Sequence, residues 1–217
     1  MSKLVAVILS GCGDYDGSEI HEATAVLYSI SKLGYTYKCF APLTKLDTIN
    51  HVTGKKDNTK RSVLEESARI SRGEISPLRD LDTSKFSAVV LPGGFGVAKN
   101  LSDFAFKGSE MSINPTLETK LTEFKNKNKP IGACSIAAPI ISKIIPKCKI
   151  TMGNDRNVSS SITKLGGINE SKLETEICVD IENKFVTTPS YLLCQRIDQV
   201  FDAVDNMVKK VLELSKK

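Results

Sequence analysis

Histidine is scarce in this sequence, and paired cysteines and long apolar runs are lacking. His21 and His51 are the only histidines among 217 residues, so a zinc site made of cysteine and histidine is not expected. The six cysteines form no Cys-x-x-Cys pair and stand mostly inside apolar segments, which predicts free thiols in a reducing compartment. The N-terminal run LVAVIL is too short for a signal-peptide core, and no stretch approaches the roughly 20 apolar residues of a membrane span. A cytoplasmic protein with no membrane partner is therefore expected.

Positive charge is in moderate excess and is scattered along the chain. The net charge of +5 comes from lysines in predicted helices and near the C-terminus, and no aromatic side chains are interleaved with them. That pattern is typical of a solvated surface, so no nucleic-acid partner is expected. A hydrophobic content of 41% and a charged content of 25% are those of a globular protein, and the length suits one domain over residues 1–217.

Strand-like and helix-like segments alternate along the chain. Apolar runs such as KLVAVIL and FSAVVL have the composition of strands buried on both faces, whereas SEIHEATAVLYSISKLG has apolar residues at helical spacing. Residues 43–59 are polar and are predicted to form a long loop, and ICVDIE and KFVTTP to form a hairpin through Glu182–Lys184. The alternation predicts an α/β fold in which helices cover both faces of a mainly parallel sheet. In such folds ligands bind at the carboxyl ends of the strands.

The first turn at a strand end is SGCGDYDGSEIHE, residues 10–22. Its Gly-x-Gly resembles a dinucleotide-binding turn, but Asp14 and Asp16 stand where a pyrophosphate would lie, and no acid for a ribose ends the second strand. No cofactor is therefore expected. Asp16 and Glu19 have the spacing of a helix capping box. Glu22 then lies one turn into the helix, where it serves either the helix dipole or a site.

The second turn is LPGGFG, residues 91–96. Gly93 and Gly94 directly follow a strand, and their lack of a side chain lets backbone N–H groups approach a ligand. Such groups make an oxyanion site, although a simple tight turn has the same sequence. Both interpretations stay open at this point.

The third turn is GACSIAAP, residues 132–139, where a cysteine and a serine are adjacent. A nucleophile elbow needs small residues two positions away on either side of its tip, because larger side chains would collide. Centred on Ser135, both of those neighbours are alanines, whereas centred on Cys134 one of them is the branched Ile136. Sterics therefore predict Ser135 at the tip and Cys134 buried in the strand. A plain strand–helix junction is the alternative.

Seven ordered segments carry a family resemblance over nearly the whole chain: SGCGDYDGSEIHEA, INHVTG, ESARISRGEI, LPGGFGVAKNLSDFA, KPIGAC, IAAPIISKI and VTTPSY. Together they resemble the ElbB family, a branch of the PfpI-like, class I glutamine amidotransferase-like superfamily once linked to isoprenoid biosynthesis. The resemblance implies a flavodoxin-like three-layer sandwich, often dimeric. It also implies glutathione-independent glyoxalase activity, a lyase reaction that turns glyoxal or methylglyoxal into a hydroxy acid.

The family's reactive group is an elbow cysteine, which attacks the aldehyde as a thiolate while a nearby glutamate moves protons. The resemblance places the glutamate at Glu22, the backbone donors at Gly94 and Ile136, and the nucleophile at Ser135. Cys134 matches the position before the nucleophile. A serine therefore stands where the family has a cysteine.

That serine puts the activity in question, because an alcohol is far less acidic than a thiol and needs a general base. The segment after the elbow contains no histidine, and Asn154 in that segment and His51 in the long loop are the possible further pocket residues. Glu22 would serve as a base only if burial raised its pKa. Two hypotheses follow. One is a weakened or lost glyoxalase-type activity at Ser135 or Cys134, and the other is a non-catalytic metabolite-binding or interaction protein that keeps the pocket. The expected ligand is a small aldehyde or carboxylate. A homodimer is expected in either case.

Overall fold

Strands and helices alternate in the computed structural model, which describes residues 3–216, with the backbone alone at 156–158. The strands are β1 (Leu4–Ile8), β2 (Thr36–Ala41), β3 (Lys45–Ile49), β4 (Lys56–Ser62), β5 (Ile75–Pro77), β6 (Ala88–Leu91), β7 (Ile131–Cys134), β8 (Lys149–Ile150), β9 (Ile168–Asn169), β10 (Cys178–Asp180) and β11 (Phe185–Thr188). The helices are α1 (Ile20–Lys32), α2 (Val63–Ile70), α3 (Phe104–Lys107), α4 (Pro115–Asn126), α5 (Ala138–Ile144), α6 (Arg156–Lys164) and α7 (Ile197–Leu214). Within the described range, no helix is both long and apolar enough to cross a membrane.

Seven strands form the central sheet in the order β10–β11–β7–β6–β1–β2–β5. Neighbouring strands run parallel, except that β10 is antiparallel to β11. The hairpin predicted through Glu182–Lys184 is thereby confirmed. Because β1, β6, β7 and β11 run in one direction, the turns that follow them meet at one edge of the sheet.

Two apolar cores lie on opposite faces of this sheet. Alternate residues of a strand point to opposite faces, so Val5 and Val7 of β1 pack with α1 and α7, whereas Ala6 and Ile8 pack with α4 and α5. This is the predicted flavodoxin-like three-layer α/β sandwich with a mainly parallel sheet, and the prediction is confirmed. Burial on both faces explains the continuous apolar runs of the central strands.

The predicted loop over residues 43–59 is wrong, because most of this segment forms the antiparallel hairpin of β3 and β4. Leu46 is its one buried large apolar side chain, at 3% exposure, and most of the other side chains are exposed. The hairpin is tied by polar contacts instead, such as the Thr48 hydroxyl donating to the Thr59 carbonyl at 2.8 Å. Strands that stand in solvent leave no apolar alternation, which is why the sequence pattern indicated a loop.

The predicted capping box at Asp16 is also wrong. Helix α1 begins after Glu19, whose Oε2 accepts from the backbone N–H of Glu22 at 2.7 Å. Asp16 instead accepts from the backbone N–H of Ile49 at 2.7 Å and so joins the first turn to β3. The Asp16 carboxylate, which the local pattern assigned to the start of the helix, therefore binds a backbone group more than thirty residues away.

Candidate active site

A cavity of about 320 Å³ opens at the carboxyl ends of β1, β6, β7 and β11, the position expected for a parallel sheet. Each of these strands contributes the turn that follows it, and the start of α1 supplies one further wall. The lining residues are Asp14, Glu19, His21, Gly94, Phe95, Ser135, Ile136, Tyr191 and Leu192. The volume suits a small organic molecule.

Ser135 stands at the tip of the turn between β7 and the helical segment that leads into α5. Its φ of +53° is in the left-handed region, which non-glycine residues adopt only when the surrounding structure holds them there. Ser135 is 5% exposed and lines the cavity, and its hydroxyl has no hydrogen-bond partner among the described residues. The geometry is that of a nucleophile elbow, as the small flanking alanines predict. Its catalytic role stays a prediction.

Cys134 points away from the cavity. The residue is fully buried, and its Sγ lies 3.9 Å from Sδ of Met207 in α7. Burial, with the nearby Glu22 carboxyl, raises the pKa of this thiol well above its usual range. A protonated thiol packed in the core is not a nucleophile, so the structure does not bring Cys134 into the site.

Glu22 is fully buried behind the cavity wall. Its Oε2 accepts from the backbone N–H of Gly93 at 2.7 Å, and its Oε1 accepts from that of Tyr191 at 3.3 Å. Burial raises the pKa of the carboxyl to about 7 and the nearby Glu19 charge adds to the rise, although these N–H donors offset part of it. Glu22 is thus a carboxyl that exchanges its proton near neutral pH.

Gly93 separates Glu22 from Ser135. A Cβ at this position would collide with Glu22 Oε2 and lie 2.8 Å from Ser135 Cβ, so the two side chains meet across the glycine. The Gly93 N–H already donates to Glu22, which corrects the expectation that it serves as an oxyanion donor. Gly94, with φ of +99°, and Ile136 line the cavity, so these two stay candidates for that role.

Two residues predicted as possible pocket members lie elsewhere. His51 stacks on Tyr15 with ring centroids 4.9 Å apart, and its Nε2 accepts from the Tyr15 N–H at 3.2 Å. It borders a different, polar cleft between the β3–β4 hairpin and α2. Asn154 is exposed and follows β8, which pairs only with β9 outside the central sheet. Both predictions are wrong, because these segments are attached beside the site rather than over it.

The structure adds His21 and Tyr191, which the sequence pattern did not single out. The Nδ1 of His21 lies 2.6 Å from the Tyr191 hydroxyl and 3.8 Å from Oε1 of Glu19. The available signal was the position of His21 directly before Glu22. Adjacent helical residues point about 100° apart, so only the tertiary structure shows that one faces the cavity and the other faces the core.

Carboxylates dominate the charge of the cavity. Asp14 and Glu19 both line it, and burial raises the pKa of each above its usual value. The lining contains no lysine or arginine among the described residues. Among the residues that the structure describes, no group of three or more acidic, histidine or cysteine side chains is arranged to hold a metal ion.

Solved structures share this fold. The crystal structure of an isoprenoid biosynthesis protein with an amidotransferase-like domain from Ehrlichia chaffeensis has a TM-score of 0.92 at 32% identity, covering 97% of this chain and 98% of that chain. A ThiJ/PfpI domain protein from Brachyspira murdochii has a TM-score of 0.60 at 14% identity, covering 98% of this chain and 97% of that chain, and this likeness concerns the fold alone. No protein-family model matches the chain.

Curated relatives correct the expected location and identify the family. The ES1 protein homolog from Rattus norvegicus is 41% identical over 224 residues, and the human glutamine amidotransferase-like class 1 domain-containing protein 3 is 40% identical over 224 residues. Each match covers 98% of this chain and 84% of the relative. Both names include the word mitochondrial, which contradicts the cytoplasmic prediction; free thiols argue only against an oxidising compartment and do not separate one reducing compartment from another. The chain belongs to the ES1 family of glutamine amidotransferase-like class 1 domain proteins.

Proposed function

We propose that this chain converts small α-oxoaldehydes such as glyoxal and methylglyoxal into hydroxy acids without glutathione, at a rate limited by its alcohol nucleophile. The observation that carries the proposal is the meeting of Ser135 and Glu22 across Gly93 beside a cavity of small-molecule size. A nucleophile at an elbow tip and a carboxyl with pKa about 7 are the two groups that such a reaction needs. The ElbB-type resemblance of the sequence points to the same reaction.

The reaction is an internal redistribution of hydrogen followed by hydrolysis. The Ser135 oxygen bonds to the aldehyde carbon, and the resulting oxyanion takes a proton to give a hemiacetal. Glu22 removes the hydrogen of that carbon as a proton and returns a proton to the neighbouring ketone carbon, through an enediol. The product is a hydroxy-acid ester of Ser135, which one water hydrolyses to release the acid and restore the serine. Backbone N–H groups at Gly94 and Ile136 are the proposed donors to the oxyanion.

Replacement of Ser135 by cysteine is expected to raise methylglyoxal turnover at neutral pH by roughly tenfold or more, because a thiol is partly ionised there and an alcohol is not. Ser135→Ala is expected to abolish turnover. Lactate formed from methylglyoxal by the purified proteins, without glutathione, measures both effects.

The alternative nucleophile is tested in the same assay by Cys134→Ala, whose thiol lies in the core and not in the cavity. Its rate is expected to match that of the unchanged chain. If neither the unchanged chain nor Ser135→Cys forms lactate, the proposed function is wrong, and a binding protein without this activity is the remaining hypothesis.

The acidic lining favours a neutral aldehyde over a carboxylate ligand. Asp14 and Glu19 repel an anion inside the cavity, where screening by water is reduced. Glyoxylate has a carboxylate in place of one of the two aldehyde groups of glyoxal. Glyoxylate is expected to compete with methylglyoxal roughly tenfold or more weakly than glyoxal does. Asp14→Asn is expected to narrow that difference, and Asp103→Asn, which is not part of the cavity lining, to leave it unchanged. Equal competition by the two compounds would contradict the charge argument.

A further inference from the structure

We propose that His21, oriented by Tyr191, is the acid–base group that activates Ser135 and protonates the carbonyl oxygen of the substrate. The proposal rests on the proposed function for the substrate class, but the geometry concerns the serine itself. Ser135 and His21 line the same cavity, and they come from two different parts of the fold, the turn after β7 and the start of α1. The sequence offered Glu22 and His51 as possible groups to assist the serine, and the cavity lining adds His21.

Tyr191 holds the His21 ring in one orientation. The hydroxyl of Tyr191 lies 2.6 Å from Nδ1, and its ring lies 5.8 Å from the imidazole ring, centroid to centroid. Tyr191 lies in the turn after β11, and its own backbone N–H donates to buried Glu22. The Glu22 carboxyl, which the proposed reaction uses, therefore also helps to hold the backbone of Tyr191 in place.

The charges around His21 decide which of its nitrogens carries the proton. Glu19 Oε1 lies 3.8 Å from Nδ1, and the carboxylate favours a proton on that nitrogen. The Nδ1–H then donates to the Tyr191 oxygen, and Nε2 is left as the basic nitrogen. The other titratable groups that face this region are Asp14 in the cavity lining and Glu22 behind it.

The step that His21 supplies is balanced within the site. As the Ser135 oxygen bonds to the aldehyde carbon, its proton passes to Nε2 of His21, directly or through one water. The π electrons of the carbonyl move onto the aldehyde oxygen, which then takes the proton back from the imidazolium. A neutral hemiacetal and a neutral histidine result, so no co-reactant is needed.

The experiment is covalent labelling of Ser135 by a small neutral alkyl fluorophosphonate, read by mass spectrometry of the intact protein and its peptides. The serine oxygen bonds to phosphorus, fluoride leaves, and the proton passes to the base, so labelling needs no aldehyde turnover. His21→Asn is expected to slow labelling by roughly 100-fold or more, the scale of a lost general base. His51→Asn, the matched control outside the cavity, is expected to label at the rate of the unchanged chain.

The pH profile separates a catalytic histidine from a structural one. Labelling of the unchanged chain is expected to rise with pH through one midpoint, because a base takes the serine proton only when it is itself unprotonated. Because burial raises the pKa of Glu22 to about 7, the same midpoint is required to persist in Glu22→Gln. Tyr191→Phe is expected to shift the midpoint and slow labelling severalfold, as a positioning residue should. If His21→Asn does not fold, the pH profiles of Glu22→Gln and Tyr191→Phe still decide whether His21 acts as the base.

Three results would overturn the inference: equal labelling of the unchanged chain and His21→Asn, absence of labelling at Ser135, or a midpoint that disappears in Glu22→Gln. Methylglyoxal assays on the same variants distinguish this failure from that of the proposed function. Labelling that depends on His21 without any lactate formation supports the inference and rejects the glyoxalase activity. Lactate formation at equal rates with and without His21 does the reverse.

Discussion

Replacing Gly93 with alanine is expected to lower the free energy of unfolding by about 3–5 kcal/mol, the sum of overpacking and of a lost hydrogen bond to a buried carboxyl. The new methyl group would collide with Glu22 Oε2, lie 2.8 Å from Ser135 Cβ and lie 3.1 Å from the carbonyl oxygen of Cys134. None of these atoms is the far end of an exposed, flexible side chain, so the backbone after β6 has to move. That movement would lengthen the bond from the Gly93 N–H to Glu22.

Urea denaturation and thermal unfolding measure the effect, which corresponds to a fall in Tm of about 10 °C for a chain of this size. Gly73→Ala is the control. A Cβ at Gly73 would meet no neighbouring atom within 4 Å, so the φ of +87° is the one source of strain there. That control is expected to lose about 1 kcal/mol, from backbone strain alone. A smaller loss at Gly93 than at Gly73 would contradict the close packing of Glu22 against Ser135.

Between pH 4.5 and pH 8, the free energy of unfolding of the unchanged chain is expected to fall by about 3 kcal/mol more than that of Glu22→Gln. Burial raises the pKa of Glu22 from 4.5 to about 7, so the folded state holds this proton more tightly than the unfolded state does. The stabilisation by the bound proton is complete below pH 4.5 and is lost as the pH rises through 7. The glutamine variant has no proton to lose there, so its stability lacks this decline.

Urea denaturation at pH 5 and at pH 8 measures the difference in slope. At pH 5, Glu22→Gln is expected to be less stable than the unchanged chain. The two oxygens of Glu22 accept from two backbone N–H groups, and in the variant the glutamine NH₂ faces one of these donors. Its disadvantage is expected to shrink or reverse by pH 8. Glu65→Gln, on the exposed side of α2, is the control and is expected to keep the slope of the unchanged chain. Parallel stability profiles for Glu22→Gln and the unchanged chain would show that Glu22 is ionised throughout.

The sheet and its helices were predictable because their signals are strong and local. Buried strands appear as apolar runs, and Pro115 marks the start of α4 as a first-turn proline should. The β3–β4 hairpin was not predictable, since its strands are mostly exposed and polar. Hydrophobic periodicity reports burial, and an element that buries little gives no such signal.

The candidate site divides in the same way. Ser135 was predictable as the elbow tip from its small neighbours, because the steric requirement lies within five consecutive residues. The predictions for His51 and Asn154 were wrong, because they required knowing where two segments attach around the sheet edge. Glu22 was placed near the site by family resemblance, but its contact with Gly93 follows only from the fold.

By itself, the sequence determined the α/β class, the strand-end turns and the serine at the elbow, because each depends on periodicity or sterics between near neighbours. Only the tertiary structure decided which charges and hydrogen-bonding groups meet there. It turned Cys134 into the core, raised the pKa of Glu22 by removing water, and joined His21 to Tyr191, 170 positions away. Burial and long-range contact arise when distant segments pack together, and no local pattern carries them.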